Sequence, residues 1–199
     1  MQIQKKYKMS FTASSVRRRE SAIIAELFLR YADWDAVYNE VLSDNILQLN
    51  SISSQKRIYA EIKLRLKHLS TSELQILAND DSAHSEAILW LAICRSYTFI
   101  GDFAKEVIHE KYISFQKSIE DCDYELFFEK KSSLHPELNK LTDQTKKKIK
   151  QIVFKMLNEC GILGRKNEIL AFYCSSELRT MLKAEELGYF PTNEYGGIR

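Results

Sequence analysis

The stretch TDQTKKKIKQIVFKMLNECGIL, residues 142–163, holds four lysines within the five positions 146–150. Its apolar residues recur every three or four positions, which at about 100° per residue places them on one face of a helix. The opposite face carries lysine, glutamine and asparagine, which suit phosphate and base contacts. The apolar face comprises Ile149, Ile152, Val153, Met156, Leu157 and Cys160, and the outer face comprises Gln144, Lys147, Lys148, Gln151, Lys155 and Asn158.

The sequence around this helix has the element order of a winged helix-turn-helix. Before it, Pro136 predicts the first turn of a short helix, because proline is favoured at that position. After it, Gly161 predicts a left-handed helix end, and the apolar flanks of the turn at 164–167 predict a short β-hairpin. We therefore expect residues 135–185 to form a winged-helix-like segment.

In that geometry the lysine-rich helix would enter the major groove of DNA, and the hairpin tip would act as the wing. The pattern also fits a solvated amphipathic helix followed by a loop, since helix-turn-helix patterns are common false positives. The sequence alone leaves both interpretations open. The candidate DNA-binding residues of this segment are Lys146, Lys147, Lys148, Lys150, Gln151, Lys155, Arg165 and Lys166.

Two further basic clusters lie in the first part of the chain. In SSQKRIYAEIKLRLKHL, residues 53–69, a lysine face opposes an apolar face, which fits a second helix-turn-helix or a solvated face on a core helix. The other cluster lies inside the first helix, where cations oppose the helix dipole. A bound phosphate would stabilise the arginines at this position. The acidic stretch 120–125, either of this chain or of a neighbouring copy, would do the same. The candidates are Lys56, Arg57, Lys63 and Lys67 in the first cluster and Arg17, Arg18 and Arg19 in the second.

The composition favours helices throughout the chain. Of 199 residues only six are glycine and two are proline, while 45% are hydrophobic and 28% are charged. We therefore expect a mainly α fold with a real core. The polar stretch NDDSAHS, residues 79–85, predicts a boundary between two helical lobes, 1–81 and 82–199. Each lobe would contain a helix-turn-helix-like unit, and the second would also contain the hairpin.

Cap residues predict where individual helices begin. The first helix is expected to start near Ser14 or Ser15, and Asp33 is expected to cap the second. In STSEL, residues 70–74, a hydroxyl side chain followed by a glutamate predicts a capped short helix.

No arrangement of residues supports catalysis, a cofactor or a metal ion. His84-Ser85-Glu86 lacks the P-C-x-x-C of a zinc deaminase, and GILGRK, residues 161–166, has the wrong spacing for a phosphate-binding P-loop. The four cysteines include no CxxC pair. The best apolar run, 87–94, is far shorter than the ~20 residues of a membrane span, and no signal peptide is recognisable. We therefore expect a cytoplasmic protein that does not enter membranes.

Four segments together resemble the BrxA family, the small helical proteins of BREX anti-phage systems. They are SFTASSVRRRESAIIAELFLRYADWDAV, SSQKRIYAEIKLRL, LWLAICRSYTFIGDFAKEVIHEKY and HPELNKLTDQTKKKIKQIVFKMLNECGIL, and the resemblance extends from Ser10 to about Leu182. The segments match in order, which makes the resemblance specific. One departure is the pair Ser14-Ser15, where the family is expected to have two small residues, alanine-glycine or glycine-glycine.

The resemblance implies a defence component without known enzymatic activity that works beside a methyltransferase, an ATPase and a phosphatase-like protein. Family members are described as double-stranded DNA binders, whereas an older description as similar to the antitermination factor NusB points to RNA. The leading hypothesis is therefore a non-catalytic module that binds double-stranded DNA. The alternatives are a scaffold that docks other BREX proteins or a second copy of itself, and NusB-like RNA binding.

Overall fold

The computed structural model of the protein describes residues 6–13, 15–79 and 84–193. These residues are mostly helical and contain no β-strand, only two isolated antiparallel bridges, so the prediction of a mainly α fold is confirmed. The α-helices are α1 (Arg18–Tyr31), α2 (Trp34–Ser43), α3 (Ile52–Leu66), α4 (Thr71–Ala78), α5 (Ser85–Ser96), α6 (Thr98–Phe103), α7 (Glu110–Ile113), α8 (Asp121–Leu134), α9 (Pro136–Asn139), α10 (Asp143–Glu159) and α11 (Ser176–Met181).

Three helical segments with a winding other than that of the α-helix complete the described secondary structure. Residues Ser10–Ala13 and Ala184–Tyr189 form 3-10 helices, and the π-helical segment Ala104–His109 joins α6 to α7. No single helix in the described ranges is both long enough and apolar enough to cross a lipid bilayer.

The chain forms two compact units, Val16–Ser96 and Met1–Ser15 with Tyr97–Arg199. We call them the α1–α5 unit and the α6–α11 unit. This division differs from the lobes 1–81 and 82–199 that the polar stretch suggested, and four residues of that stretch, 80–83, lie outside the described residues. The reason is packing: α5 contacts α3 and α4, while the 3-10 helix near the N-terminus contacts α10.

Local capping sets the helix starts of the α1–α5 unit. The side chain of Asp33 accepts a hydrogen bond from the N–H of Asp35 at 2.9 Å, and Ser70 with Glu73 forms a reciprocal capping box, as the sequence predicted. The expected start of α1 near Ser15 is wrong, because α1 begins after Arg17, whose φ of 58° lies in the left-handed region. Ser14, the other expected start, lies outside the described residues.

Aromatic rings fill the core of the α6–α11 unit. Phe103 packs against Tyr124 and Phe127 of α8, with ring centroids 5.4 and 5.1 Å apart, and Tyr124 lies 6.0 Å from Phe154 of α10. Phe99 of α6 contacts Phe127 in the same cluster. This packing holds α8 against α10 and so fixes which face of α10 is exposed.

Candidate nucleic-acid interface

The predicted two faces of α10 are confirmed. Thr142 caps the helix by accepting a hydrogen bond from the N–H of Thr145 at 3.2 Å. The residues of the predicted apolar face are buried, apart from the half-buried Ile152, and every residue of the predicted outer face is exposed. The exposed face therefore presents Gln144, Lys147, Lys148, Gln151, Lys155 and Asn158 to the outside of the α6–α11 unit.

A short helix and a turn precede α10, and a tight hairpin-like turn follows it. Proline begins α9 as predicted, and Gly161 has a φ of 66°, the left-handed conformation expected at the end of α10. The backbone then bridges Leu163 to Ile169 in antiparallel fashion. The predicted hairpin is thus present as a bridged turn without regular strands. Arg165 and Lys166 are exposed at its tip.

A third segment, residues 117–119, pairs with this turn and was missed by the sequence interpretation. The N–H of Ile169 donates to the carbonyl of Lys117 at 2.9 Å, and the N–H of Ile119 donates to the carbonyl of Asn167 at 3.0 Å. The segment is too short to show a strand pattern in the sequence. With it, the chain order is a paired segment, α8, α9, α10 and a bridged turn that returns to the first segment.

Glu168 holds the tip of the bridged turn in place. Its carboxylate accepts a hydrogen bond from the N–H of Lys166 at 2.7 Å, and hydrogen bonds from its own N–H and that of Lys166 lower the pKa of Glu168. A Cβ atom at Gly164 would lie 2.6 Å from this carboxylate. Because glycine has no Cβ, the carboxylate of Glu168 has room to approach the backbone of the turn. The tip is therefore a defined cationic projection and not an open loop.

Two predicted DNA-binding lysines of α10 face α8 instead of the open side. The Nζ atom of Lys150 lies 3.0 Å from Oδ1 of Asp121 and 3.1 Å from Oε1 of Glu125. Burial favours the neutral amine, but hydrogen bonds to these carboxylates outweigh burial and raise the pKa of Lys150. Lys146 lies 5.9 Å from the ring of Phe128. The helical pattern of α10 gave no signal for these partners on α8.

A cleft of about 340 Å³ lies between α8 and α10 and is lined on the α10 side by Lys146, Lys147 and Lys150. Tyr124 and Phe128 line its apolar side, and Glu125 and Glu129 add negative charge. The open face of α10 and this cleft thus have different chemistry, cationic on the outside and mixed on the inside.

The second basic cluster lies on α3 in the α1–α5 unit. Helix α3 starts after the cap Ser51. Lys56, Arg57 and Lys67 are exposed. Lys63 is held 3.6 Å from Asp35 and lies over two aromatic rings, those of Trp34 and Tyr59. Three of the four candidates are therefore exposed. Lys56 and Lys67 line the same groove between α2 and α3 as Lys63.

The third cluster forms contacts inside the α1–α5 unit. Arg17 donates to Glu20 at 2.9 Å and Arg18 donates to Glu86 at 3.0 Å. Arg19 donates to the side-chain oxygen of Gln48 at 3.2 Å. These contacts compensate the unfavourable position of the cations at the helix start and give them a structural role.

Candidate metal ligands do not cluster within the described ranges. No group of three or more histidine, cysteine, aspartate or glutamate side chains could hold a metal ion there. Cys94, Cys122, Cys160 and Cys174 form no disulfide with one another.

Comparisons with known proteins agree on one family. The BrxA family model matches residues 5–186. The chain is 28% identical over 167 residues to the BREX protein BrxA of Escherichia coli O9:H4 (strain HS), covering 83% of this chain and 78% of that protein. It is 30% identical over 127 residues to the BREX protein BrxA of Bacillus cereus (strain H3081.97), covering 64% of each chain.

A solved structure shows the same fold. The crystal structure of an uncharacterized protein from Magnetospirillum magneticum superposes with a TM-score of 0.79 at 21% identity, covering 93% of this chain and 96% of that one. A curated BREX protein BrxA from Paramagnetospirillum magneticum (strain ATCC 700264 / AMB-1) is 23% identical over 158 residues, covering 79% of each chain.

Proposed function

The chain belongs to the BrxA family, and from that premise we propose that it is a non-catalytic, double-stranded DNA-binding component of a BREX phage-defence system. The observation that carries the DNA-binding part is the exposed cationic face of α10, which is followed in the chain by a bridged turn with an exposed cationic tip. Lys147 and Lys148 are exposed on that face and form no ion pair with any described residue. Their charge is therefore available to a ligand.

The dimensions of this surface suit duplex DNA. Helix α10 has 17 residues and a length of about 25 Å, and an α-helix fits the roughly 12 Å wide major groove. In the winged-helix arrangement, α10 enters that groove while Arg165 and Lys166 reach the neighbouring sugar-phosphate backbone. Both parts of the surface belong to the same unit.

The side chains favour phosphate contacts over base recognition. Lysine acts as a mobile point charge and gives less geometric specificity than the bidentate guanidinium of arginine. On α10 the exposed amides are Gln144, Gln151 and Asn158, of which Gln151 lies among the lysines. We therefore propose binding that depends strongly on salt and weakly on sequence.

A salt titration tests the proposal. Fluorescence anisotropy of a labelled duplex, repeated at several salt concentrations and with duplex and single-stranded RNA as competitors, gives both affinity and selectivity. The variant Lys147→Gln/Lys148→Gln/Lys155→Gln is expected to lower the salt slope by about 0.9 for each phosphate that the protein no longer neutralises. Its matched control is the triple variant Arg30→Gln/Lys130→Gln/Lys183→Gln, which removes three exposed positive charges at residues that belong neither to α10 nor to the wing. An equal loss of duplex affinity in both variants would contradict the proposal. Tighter binding to RNA than to duplex DNA would contradict it as well.

A scaffold that docks other BREX proteins or a second copy of the chain is the alternative function. Phe115 is 86% exposed with a φ of 60°, and Leu126 is 65% exposed. Leu126 lines a shallow cleft of about 300 Å³ together with Gln116, the neighbour of Phe115. Exposed aromatic side chains are typical anchors of protein interfaces. Loss of partner binding in Phe115→Ser/Leu126→Ser with unchanged DNA affinity would support this function beside DNA binding.

A further inference from the structure

The N-terminal segment 6–13 is fastened to the α6–α11 unit by one buried aromatic residue. Tyr7 is only 6% exposed. Its ring stacks on the imidazole of His135 with centroids 3.8 Å apart and meets the ring of Phe99 edge-on at 5.4 Å. A ring packed on both sides has one position, so the backbone around it is fixed as well.

Two hydrogen bonds add to this packing. The hydroxyl of Tyr7 donates to Oδ2 of Asp102 at 2.5 Å, and its N–H donates to Oε1 of Glu137 at 2.8 Å. Burial and the hydrogen bond to Asp102 raise the pKa of Tyr7, so the phenol remains a donor. Lys131 donates to Asp102 at 3.1 Å and to Glu106 at 2.5 Å, which balances the negative charge around the tyrosine.

The two neighbours of Tyr7 are lysines that point away from the protein. Lys6 and Lys8 are exposed, whereas Tyr7 between them is buried. Neither lysine forms an ion pair with any part of the chain that the structure describes. The anchor thus holds two available positive charges at defined positions.

Tyr7 attaches this segment next to α10. Glu137 belongs to α9, the short helix directly before α10. The 3-10 helix Ser10–Ala13 packs against α10 itself, and Phe11 within it is fully buried against Tyr97. The segment therefore contacts both α9 and α10, within one compact unit.

We infer that Lys6 and Lys8 form an N-terminal arm that contacts the sugar-phosphate backbone of the duplex bound by α10, and that Tyr7 is the residue that positions this arm. The inference rests on the proposed function and extends its surface beyond α10 and the wing. The ligand is phosphate, because an exposed lysine ammonium is a mobile point charge that lacks the bidentate geometry of base recognition. Binding through the arm is accordingly independent of DNA sequence.

The first test removes the charge of the arm. Lys6→Gln/Lys8→Gln is expected to weaken duplex binding about tenfold at 0.15 M salt and to lower the salt slope by up to about 1.8, with sequence preference unchanged. The matched control Arg30→Gln/Lys183→Gln removes the same charge outside α10, the wing and the arm. It is expected to leave the slope as in the unmodified protein.

The second test separates positioning from charge. Tyr7→Phe keeps the ring packing but removes the hydrogen bond to Asp102. It is expected to weaken duplex binding about threefold in the unmodified chain. In the Lys6→Gln/Lys8→Gln background the same change is expected to have no further effect on binding. An equal loss in both backgrounds would mean that Tyr7 acts only through general stability, and that result overturns its positioning role.

The experiments can contradict the role of the arm without contradicting the proposed function. If Lys6→Gln/Lys8→Gln binds duplex as the unmodified protein does while the triple α10 variant loses binding, the arm inference is wrong and the proposed function stands. If neither variant changes duplex binding, the α10 surface is not the interface, and both fail. Loss in both variants with additive changes in salt slope supports both.

Discussion

The Nζ atom of Lys150 on α10 lies 3.0 Å from Oδ1 of Asp121 on α8, so this lysine is neutralised within the protein. Glu125 adds a second carboxylate at 3.1 Å. The lysines of α10 therefore differ in their partners. Lys147 and Lys148 are exposed to a ligand, whereas Lys150 is ion-paired with carboxylates of α8. The acidic helix limits how much positive charge the proposed interface presents to DNA.

Removing this neutralisation should strengthen DNA binding. In Asp121→Asn/Glu125→Gln, Lys150 becomes available to a phosphate, and we expect affinity to rise about threefold and the salt slope to steepen by about 0.9. Anisotropy titrations at several salt concentrations measure both quantities. The control Glu110→Gln/Glu185→Gln makes the same change in net charge at two exposed carboxylates that do not line the cleft. An equal gain in the control would show that net charge alone, and not Lys150, determines the affinity.

The wing should contribute to binding but not to folding. Arg165 and Lys166 are exposed at the tip of the bridged turn, so Arg165→Gln/Lys166→Gln is expected to lower the salt slope by up to about 1.8 while the urea midpoint stays unchanged. Anisotropy and urea denaturation monitored by circular dichroism measure the two effects. Unchanged DNA affinity would exclude the wing from the interface.

Glu73 should be important for the stability of the α1–α5 unit. It is 2% exposed and accepts hydrogen bonds from both terminal nitrogens of Arg95, at 2.8 and 2.9 Å, and from the N–H of Ser70 at 2.6 Å. Glu73→Gln leaves the guanidinium without its carboxylate and is expected to cost about 3 kcal/mol of unfolding free energy. Urea denaturation measures it. The control is Glu26→Gln, which breaks the exposed ion pair with Arg30. The prediction would be contradicted if both variants lowered the unfolding free energy by the same small amount.

Glu106 should make the stability of the α6–α11 unit depend on acid pH. Burial alone would raise the pKa of its carboxyl, but hydrogen bonds from Lys131 and Lys130 outweigh burial and lower the pKa below its usual 4.5. A carboxyl whose pKa is lowered by folding stabilises the protein above its unfolded-state pKa, and this stabilisation is lost as pH falls through the folded-state value.

The variant Glu106→Gln tests this dependence. We expect the unmodified protein to lose more unfolding free energy between pH 6 and pH 3 than the variant does, because only the unmodified protein must protonate this carboxylate. Urea denaturation at a series of pH values gives the two curves. Parallel curves would assign the acid sensitivity of the protein to other carboxyl groups.

The sequence by itself determined the features that depend on residues a few positions apart. The two faces of α10 follow from helical periodicity, the caps at Asp33 and Ser70 from hydrogen bonds to residues two or three positions later, and the end of α10 from the left-handed conformation that Gly161 adopts. Each is set by local stereochemistry, which the order of residue types encodes directly.

The tertiary structure alone decided which of the basic residues remain available to a ligand. Lys150 is neutralised from α8 by carboxylates 25 and 29 positions earlier in the chain, and Tyr7 is anchored by Asp102 and Glu137, 95 and 130 positions away. Such contacts depend on how the helices pack. The pattern of one helix therefore gives its charge, but the neighbouring helices decide whether that charge is open to DNA or already paired.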